Sequence, residues 1–241
     1  MSSESFPLKT PMNKSTSQPQ QLSTTAGDFP LQEYRLRIAG HEWVALHTDA
    51  ILTHADEARF LSQESQRLPY GVVLWPAAVA LAHELAARAD ELRAVKVLEL
   101  GAGTGLPGIV AASLGARVVQ TDRQSLAMHV CQLNCRRNGI TQIEHRIADW
   151  TAWEDPDRYD LIIGSDIIYA DTLHPHLRRI FDSNLKPGGK ILLADPFRAD
   201  SLKLLEAMEA EGWPVTLTKW KVGEAEDARA IGLFELTPPP R

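Results

Sequence analysis

The stretch VLELGAGTG, residues 97–105, decides the fold because it joins an apolar run to three glycines at alternate positions. Residues 96–100, KVLEL, are apolar enough to predict a strand that is buried on both faces of a sheet. A helix is predicted to begin at about Leu106, directly after the glycines. Glycines between a strand and a helix allow a tight turn and leave no Cβ where the backbone meets a ligand. The stretch therefore predicts a ligand-binding turn.

Strands and helices alternate along most of the chain. After KVLEL, strands are predicted at 117–121, 143–147, 159–165 and 190–195, with a break at Lys186-Pro187-Gly188-Gly189 before the last of them. Helices are predicted at about 50–65, from Trp75 onward, and at 106–114, 123–137, 173–185 and 199–211. Such alternation predicts a parallel sheet with helices on both faces, which binds ligands at the carboxyl ends of its strands.

Two further pairs of strands are predicted near the ends of the chain. YRLRI and EWVAL alternate around Ala39-Gly40-His41 and are predicted to form a hairpin. VTLTKWKV and RAIGLFEL, near the C-terminal end, are predicted to pair antiparallel. Residues 1–28 are dominated by Ser, Thr, Gln and Pro and are predicted to be a disordered tail. Residues 29–70 are then an extension of hairpin and helix, and residues 71–241 the main domain.

Composition excludes several classes of protein. The chain has 241 residues, 44% apolar and 23% charged, which is typical of a globular α/β domain. A net charge of −6 argues against broad binding to nucleic acid or to an anionic membrane, because phosphate contacts need clustered Lys and Arg. Cys131 and Cys135 are expected to be small buried residues of a helix, and no metal site is predicted. Without a predicted leader or membrane span, a soluble cytoplasmic protein is expected.

The glycine spacing argues against the turn that binds a dinucleotide. That fingerprint is G-x-G-x-x-G, but its third glycine would fall at Leu106, and this chain has G-x-G-x-G preceded by Glu99. Asp122 follows Gly101 by 21 residues and ends the second predicted strand, where a carboxylate accepts hydrogen bonds from both ribose hydroxyls. We therefore predict a ligand of the adenosine type. A nicotinamide-dependent oxidoreductase, and a plain helix N-cap role for Asp122, remain as alternatives.

Four segments together resemble a known family. ELGAGTG (99–105), TD (121–122), DLIIGSDIIY (160–169) and LKPGGKILL (185–193) resemble the class I, seven-stranded S-adenosylmethionine-dependent methyltransferases. Within that class, VLW (73–75), ELGAGTGLPGIVAA (99–112) and DIIY (166–169) resemble methyltransferase family 16. That group includes the protein-lysine methyltransferases with a DxxY motif and bacterial members described as nicotinamide N-methyltransferase-like. The resemblance implies a Rossmann-like sheet of order 3-2-1-4-5-7-6 with the last strand antiparallel.

The resemblance also implies the cofactor, S-adenosyl-L-methionine, and the residues that hold it. These residues are Trp75, Glu99, Gly101, Ala102, Gly103, Asp122, Asp149, Trp150 and Ser165. Asp122 is expected to hold the ribose, Asp149 to accept from the adenine amino group, and Glu99 to meet the cofactor's amino group. The Trp150 ring is expected to supply a flat apolar wall. The alternatives are core packing for Trp75 and Trp150, and a buried, hydrogen-bonded acid at Glu99.

Asp166 and Tyr169, the ends of DIIY, are the catalytic residues that the resemblance implies. They lie three positions apart, so a helical turn places them on one face. Their expected role is to orient an amine nucleophile beside the transferable methyl, by positioning and electrostatics rather than strong general-base catalysis. The acceptor pocket is expected to be lined by the hairpin and by loops near 65–74 and 196–200. A cap and a packed ring are the alternative roles.

The leading hypothesis is a monomeric N-methyltransferase that acts on a protein lysine and binds neither nucleic acid nor membrane. The first alternative keeps the chemistry but makes the acceptor a small amine or a pyridine nitrogen. A third possibility is a catalytically idle module that binds the cofactor and works through a partner, against which the intact DIIY argues.

Overall fold

The computed structural model describes residues 5–6, 21–24, 27–62, 70–223 and 227–239. Its strands are β1 (Ser5–Phe6), β2 (Gln21–Thr24), β3 (Gly27–Pro30), β4 (Gln32–Ile38), β5 (His41–His47), β6 (Lys96–Leu100), β7 (Arg117–Asp122), β8 (Glu144–Ile147), β9 (Tyr159–Ser165), β10 (Leu185–Asp195), β11 (Val215–Val222) and β12 (Arg229–Leu236). Its α-helices are α1 (His54–Ser62), α2 (Pro76–Ala87), α3 (Leu106–Ser113), α4 (Ser125–Arg137), α5 (His174–Asn184) and α6 (Ala199–Ala210).

The central sheet has the predicted topology. Its order is β8-β7-β6-β9-β10-β12-β11, and β12 runs antiparallel to both β10 and β11. Numbered from β6, this is the order 3-2-1-4-5-7-6, so the fold class is confirmed. The short strand β1 adds a further parallel strand beside β11. Apolar clusters fill both faces of the sheet, which explains the nearly continuous apolar runs in its central strands.

The sequence predicts a break at Lys186-Pro187-Gly188-Gly189 before a strand at 190–195, but in the structure this segment lies within β10. β10 begins at Leu185, which pairs with Tyr159, and pairing with β9 resumes at Lys190 beside Leu161. The partner strand advances by fewer residues over the same interval, so β10 bulges out between these pairs. Gly188 takes a left-handed φ of +75°, a conformation that glycine adopts without steric cost.

The predicted N-terminal hairpin forms and packs on the core. β4 and β5 pair antiparallel throughout. The backbone amides of Val44 and Leu46 donate to the side chains of Asn138 and Asn134 at 2.8 and 2.6 Å, so β5 is bound to α4. The predicted helix at 50–65 is the shorter α1, which begins after a reciprocal capping pair between Thr53 and Asp56.

The structure differs from the expected disordered tail wherever it describes residues 1–28. β1 pairs with β11, and β2 pairs antiparallel with β3. Leu22 of β2 is buried in a small apolar cluster that also contains Leu31, Leu46 and Val72. Residues 1–4, 7–20 and 25–26 lie outside the described residues, so the prediction is untested there.

Candidate active site

A cavity of about 560 Å³ lies at the carboxyl ends of β6, β7 and β9, where the sequence places the ligand. It is lined by the predicted residues Trp75, Gly101, Ala102, Gly103, Asp122, Asp149, Trp150, Ser165, Asp166 and Tyr169. It is also lined by Tyr70, Gly71, Val73, Ala78, Thr104, Arg123, Gln124, Ala148, Thr151, Ile167, Leu173 and Arg198. The structure thus brings together every predicted site residue except Glu99.

The glycine turn is held in a conformation that explains its alternate spacing. Gly101, Gly103 and Gly105 have φ angles of +64°, +55° and +79°, all in the left-handed region. A Cβ on Gly101 would stand 2.8 Å from the Ile167 side chain and 3.4 Å from the Trp150 ring. The residue therefore leaves open a narrow space beside these two side chains. α3 begins at Leu106, directly after Gly105.

Asp122 ends β7 and fixes this turn from the neighbouring strand. Its Oδ2 accepts from the backbone amide of Gly103 at 3.0 Å, and its Oδ1 accepts from that of Gln124 at 2.8 Å. Each carboxylate oxygen has capacity for a further hydrogen bond, which is what a ribose diol requires. Burial raises the pKa of the Asp122 carboxyl, although both amide hydrogen bonds act in the opposite direction.

The far wall of the cavity comes from the segment after β8. Trp150 is half-buried, and its ring lies beside the open space above Gly101. Asp149 is exposed and uses its Oδ1 to accept from the amide and hydroxyl of Thr151 at 2.9 and 2.8 Å. These hydrogen bonds lower the pKa of the Asp149 carboxyl. Asp149 therefore stays ionised as an acceptor at the end of the wall.

Aromatic side chains form the opposite wall. Trp75 precedes α2, and its indole N–H donates to the carbonyl of Tyr70 at 3.2 Å. The rings of Tyr70 and Trp75 are nearly parallel, with centroids 6.1 Å apart, and Phe60 meets the Trp75 ring edge-on. The Tyr70 and Tyr169 side chains at the cavity are 56% and 53% exposed, so the cavity opens to the surface between polar rings.

Asp166 and Tyr169 reach the cavity without the expected helical turn. Asp166 directly follows β9 and has a left-handed φ of +55°, and its amide donates to the carbonyl of Ala194 at 2.9 Å. The chain from Ile167 to Ala170 is not helical. The left-handed backbone conformation of Asp166, rather than a helical turn, therefore brings both side chains to the cavity.

The carboxylate of Asp166 is held in a largely buried ion pair. Its Oδ1 pairs with Arg198 Nη1, and Arg198 also lies 3.2 Å from Asp195 Oδ2. The other oxygen, Oδ2, is buried and has no hydrogen-bond partner in the described part of the chain. Burial raises the pKa of the Asp166 carboxyl to about 6, although the Arg198 charge acts in the opposite direction. Asp166 thus has hydrogen-bonding capacity that a bound amine can use.

Glu99 lies away from the cavity, which corrects the prediction that it meets the cofactor. The side chain points to the face of the sheet that α3 covers, where its Oε2 accepts from Gln120 Nε2 at 2.6 Å. A Cβ on Gly108 of α3 would stand only 2.3 Å from that oxygen, so the helix packs directly on the carboxylate. Burial raises the pKa of Glu99 to about 8. The alternative of a buried, hydrogen-bonded acid describes it correctly.

Sequence analysis missed several lining residues, such as Arg123 and Gln124, whereas Arg198 lies in the loop near 196–200 that was expected to line the acceptor pocket. The motif DPFR follows β10, and strand ends on this edge of the sheet face the ligand, so its position was the available signal. Tyr70 and Gly71 line the cavity from the segment before α2, as expected for the loop near 65–74. Residues 65–69 of that loop lie outside the described residues. No residue of β4 or β5 lines the cavity, contrary to the expectation for the hairpin.

The comparisons with known proteins agree with this geometry. The family described as lysine methyltransferase matches residues 54–210, which is more than half of the chain. The chain belongs to the lysine methyltransferase family. Membership confirms the enzyme class, S-adenosylmethionine-dependent methyltransferase, and excludes the alternative of a nicotinamide-dependent oxidoreductase.

Curated proteins similar to this chain include protein-lysine methyltransferases and a histone-arginine methyltransferase. Protein N-lysine methyltransferase METTL21A of Xenopus tropicalis is 38% identical over 57% of this chain and 66% of its own length. METTL21A of Danio rerio is 38% identical over 61% of this chain and 69% of its own length. The match thus spans about two thirds of these relatives. Histone-arginine methyltransferase METTL23 of Xenopus laevis is 37% identical over 42% of this chain and 45% of its own length.

Solved structures share the fold. The ribosomal protein L11 methylase of Lactobacillus delbrueckii subsp. bulgaricus superposes with a TM-score of 0.54 and 26% identity, covering 68% of this chain and 80% of that chain. The Thermus thermophilus 16S rRNA N2 G1207 methyltransferase, in complex with AdoMet and guanosine, superposes with a TM-score of 0.60 and 20% identity. The superposition covers 86% of this chain and 50% of that chain.

The residues present fit the cofactor of this family, S-adenosylmethionine. Gly101 and Gly103 would leave space for it, Asp122 would accept from its ribose, and the Trp150 ring would form a flat wall for its adenine. When bound, the cofactor supplies an electrophilic methyl group on a sulfonium.

Among the described residues, no helix is long and apolar enough to cross a membrane, and no group of acidic, His and Cys side chains forms a metal site.

Proposed function

We propose that this protein transfers the methyl group of S-adenosylmethionine to the side-chain nitrogen of a lysine in another protein. The observation that carries the proposal is the carboxylate of Asp166, which lies in the cavity with hydrogen-bonding capacity left over, beside an opening rimmed by Tyr169. A carboxylate attracts an ammonium group, and an open rim admits a side chain presented from the surface of a protein. The names of the METTL21A relatives support the same acceptor.

The residues of this chain explain how an amine is prepared for transfer. Free lysine has a pKa of about 10.4, so at neutral pH it arrives protonated and must lose a proton before it attacks. In the proposed mechanism, Asp166 receives the ammonium and holds the nitrogen near the cofactor. Burial among apolar and aromatic walls disfavours the charged amine and so promotes loss of its proton to water. The Tyr169 hydroxyl helps to hold the nitrogen lone pair in line with the methyl.

The ion pair to Arg198 favours lysine over arginine as the acceptor. A guanidinium binds best to a carboxylate when both oxygens accept in one plane. Arg198 already uses Oδ1 of Asp166, which leaves a single oxygen for the acceptor. With Arg198 on Oδ1, a coplanar fork on both oxygens is hindered, whereas an ammonium, whose three donors need no planar partner, can bind at Oδ2. The relatives named as arginine methyltransferases therefore do not define the acceptor of this chain.

Incubation of the enzyme with methyl-labelled S-adenosylmethionine and a cell lysate tests the proposal. We expect a labelled protein band that disappears with the Asp166→Asn variant. Label confined to small molecules would instead identify a small amine or pyridine as the acceptor. Cofactor binding without any labelled product would support the non-catalytic alternative.

We further propose that the protein acts in the cytoplasm as a monomer and without nucleic acid. The net charge of −6 supports the absence of nucleic acid, and the two buried free thiols of Cys131 and Cys135 support a reducing compartment.

A further inference from the structure

The segment Asp195-Pro196-Phe197-Arg198, at the end of β10, is held by hydrogen bonds and a ring contact. Asp195 is fully buried, and its Oδ1 accepts from the backbone amide of Arg198 at 2.9 Å. Its Oδ2 lies 2.7 Å from the hydroxyl of Ser201. The Phe197 ring meets Phe234 edge-on, with centroids 5.8 Å apart. These contacts determine where the Arg198 side chain begins.

The Arg198 side chain connects this segment to Asp166. A single nitrogen, Nη1, contacts both Asp166 Oδ1 and Asp195 Oδ2. The Arg198 side chain is 32% exposed, whereas those of Asp166 and Asp195 are 10% and 0% exposed. Two buried carboxylates and one guanidinium leave one negative charge, which an incoming ammonium group balances. Arg198 therefore connects a fixed buried anchor to the group that receives the acceptor.

We propose that Arg198 is a positioning residue of the transfer site, which keeps Asp166 ionised and in one orientation so that the carboxylate receives the acceptor amine. The inference rests on the proposed function, since it concerns the same acceptor. Asp195 is the anchor that holds Arg198 in turn. A guanidinium suits this role because it stays charged at all physiological pH values, and its Nη1 group has two N–H donors for the two carboxylates.

Two other charges that act on Asp166 come from β10 and β12. Asp195 of β10 opposes ionisation of Asp166, and Arg229 of β12 favours it. Arg229 is itself buried and paired with Glu57 of α1 at 2.6 Å, which offsets part of its effect. Arg198 is the one cation in direct contact with Asp166 among the described residues. Its removal therefore raises the pKa of Asp166 further.

Carbon-13 NMR of protein labelled at the aspartate carboxyl carbons tests this inference without cofactor or acceptor. The Asp166 signal is assigned by its loss in Asp166→Asn, and its titration midpoint is expected near pH 6 in the wild type. In Arg198→Gln we expect the midpoint to rise by at least about one pH unit. Arg198→Lys should keep it within about half a unit, because the positive charge remains. Arg178→Gln, which breaks an ion pair on α5, is the matched control and should leave it unchanged.

An unchanged or lower midpoint in Arg198→Gln would overturn the inference. If that variant does not fold, Arg198→Met keeps the apolar stem without the charge and is expected to give the same rise. Once an acceptor is known, Arg198→Gln should lower kcat at least about tenfold at pH 7 and leave the Kd of S-adenosylhomocysteine within about twofold. Absence of methyl transfer by the wild type would contradict the proposed function, while the NMR result would still decide the role of Arg198.

Discussion

Asp122 accepts a hydrogen bond of 3.0 Å from the backbone amide of Gly103, although the two residues lie 19 positions apart. The carboxylate that ends β7 thus holds the glycine turn that follows β6. This contact joins the two sequence features that predicted an adenosine-type ligand. In the proposed mode of cofactor binding, one side chain therefore both shapes the turn and accepts from the ribose.

Replacement of Asp122 is expected to weaken cofactor binding. Hydrogen bonds to a charged group contribute about 1.5–3 kcal/mol, so Asp122→Ala should raise the Kd of S-adenosylhomocysteine by about 10- to 150-fold in calorimetry. Asp122→Asn retains one acceptor oxygen and should show a smaller loss. An unchanged Kd in Asp122→Ala would show that the ribose is held elsewhere.

Gly101→Ala should also weaken cofactor binding, because its Cβ fills the space beside Ile167 and Trp150. We expect at least a tenfold rise in the Kd of S-adenosylhomocysteine. Gly139→Ala is the matched control: its φ of +68° nearly equals that of Gly101, but nothing lies within 4 Å of its Cβ. Both variants carry a similar backbone strain, so only Gly101→Ala should change binding. Equal Kd values would disprove the steric account.

The fold was predictable because its signals are local. Alternating apolar strands and helices, with Gly101 to Gly105 between the first pair, indicate a parallel sheet and the edge at which it binds. The position of Asp122 at a strand end similarly places it beside the turn. The family resemblance supplied the antiparallel last strand and most of the remaining site residues.

The features of the site that the sequence did not predict depend on side-chain direction and on long-range contacts. Glu99 lies next to the glycine turn in sequence, but strand alternation points it beneath α3, where Gln120 and Gly108 meet it. The loop that carries Arg198 was expected at the pocket, but the role of Arg198 was not predicted because it depends on an ion pair to Asp166, 32 residues away. The φ of Asp166 was likewise unpredictable, because the surrounding fold imposes it on a residue other than glycine.

Asp166→Asn and Tyr169→Phe should separate binding from transfer. Asn tolerates the left-handed backbone at position 166, so the fold is expected to persist. We expect Asp166→Asn to lower kcat by about 10²-fold or more and Tyr169→Phe by about tenfold, since each removes one polar contact to the acceptor. The Kd of S-adenosylhomocysteine should stay within about twofold of the wild type. Full activity of Asp166→Asn would remove this residue from the mechanism.

Glu99→Gln should flatten the pH dependence of stability. With the pKa of Glu99 raised to about 8, the folded protein keeps this proton up to about pH 8, whereas the unfolded chain releases it near its ordinary value of 4.5. The folded state therefore binds more protons in this window, and its stability falls as pH rises through it. Relative to Glu99→Gln, the wild type should lose about 1 kcal/mol of unfolding free energy per pH unit.

Urea denaturation at pH 5.5 and 7.5 measures this difference. Gln at position 99 keeps an acceptor for the amide of Gln120, so packing is conserved in the comparison. If the free energy of unfolding changed equally between these pH values in the wild type and in Glu99→Gln, Glu99 would be ionised in the folded state.

Identification of the labelled amino acid tests the central claim most directly. The protein product of the lysate reaction, made with methyl-labelled S-adenosylmethionine, is hydrolysed and its labelled amino acids are separated by chromatography. The account predicts label in methylated lysine, and none when the reaction uses Asp166→Asn. Label in methylated arginine, or methylated lysine formed equally well by Asp166→Asn, would contradict it.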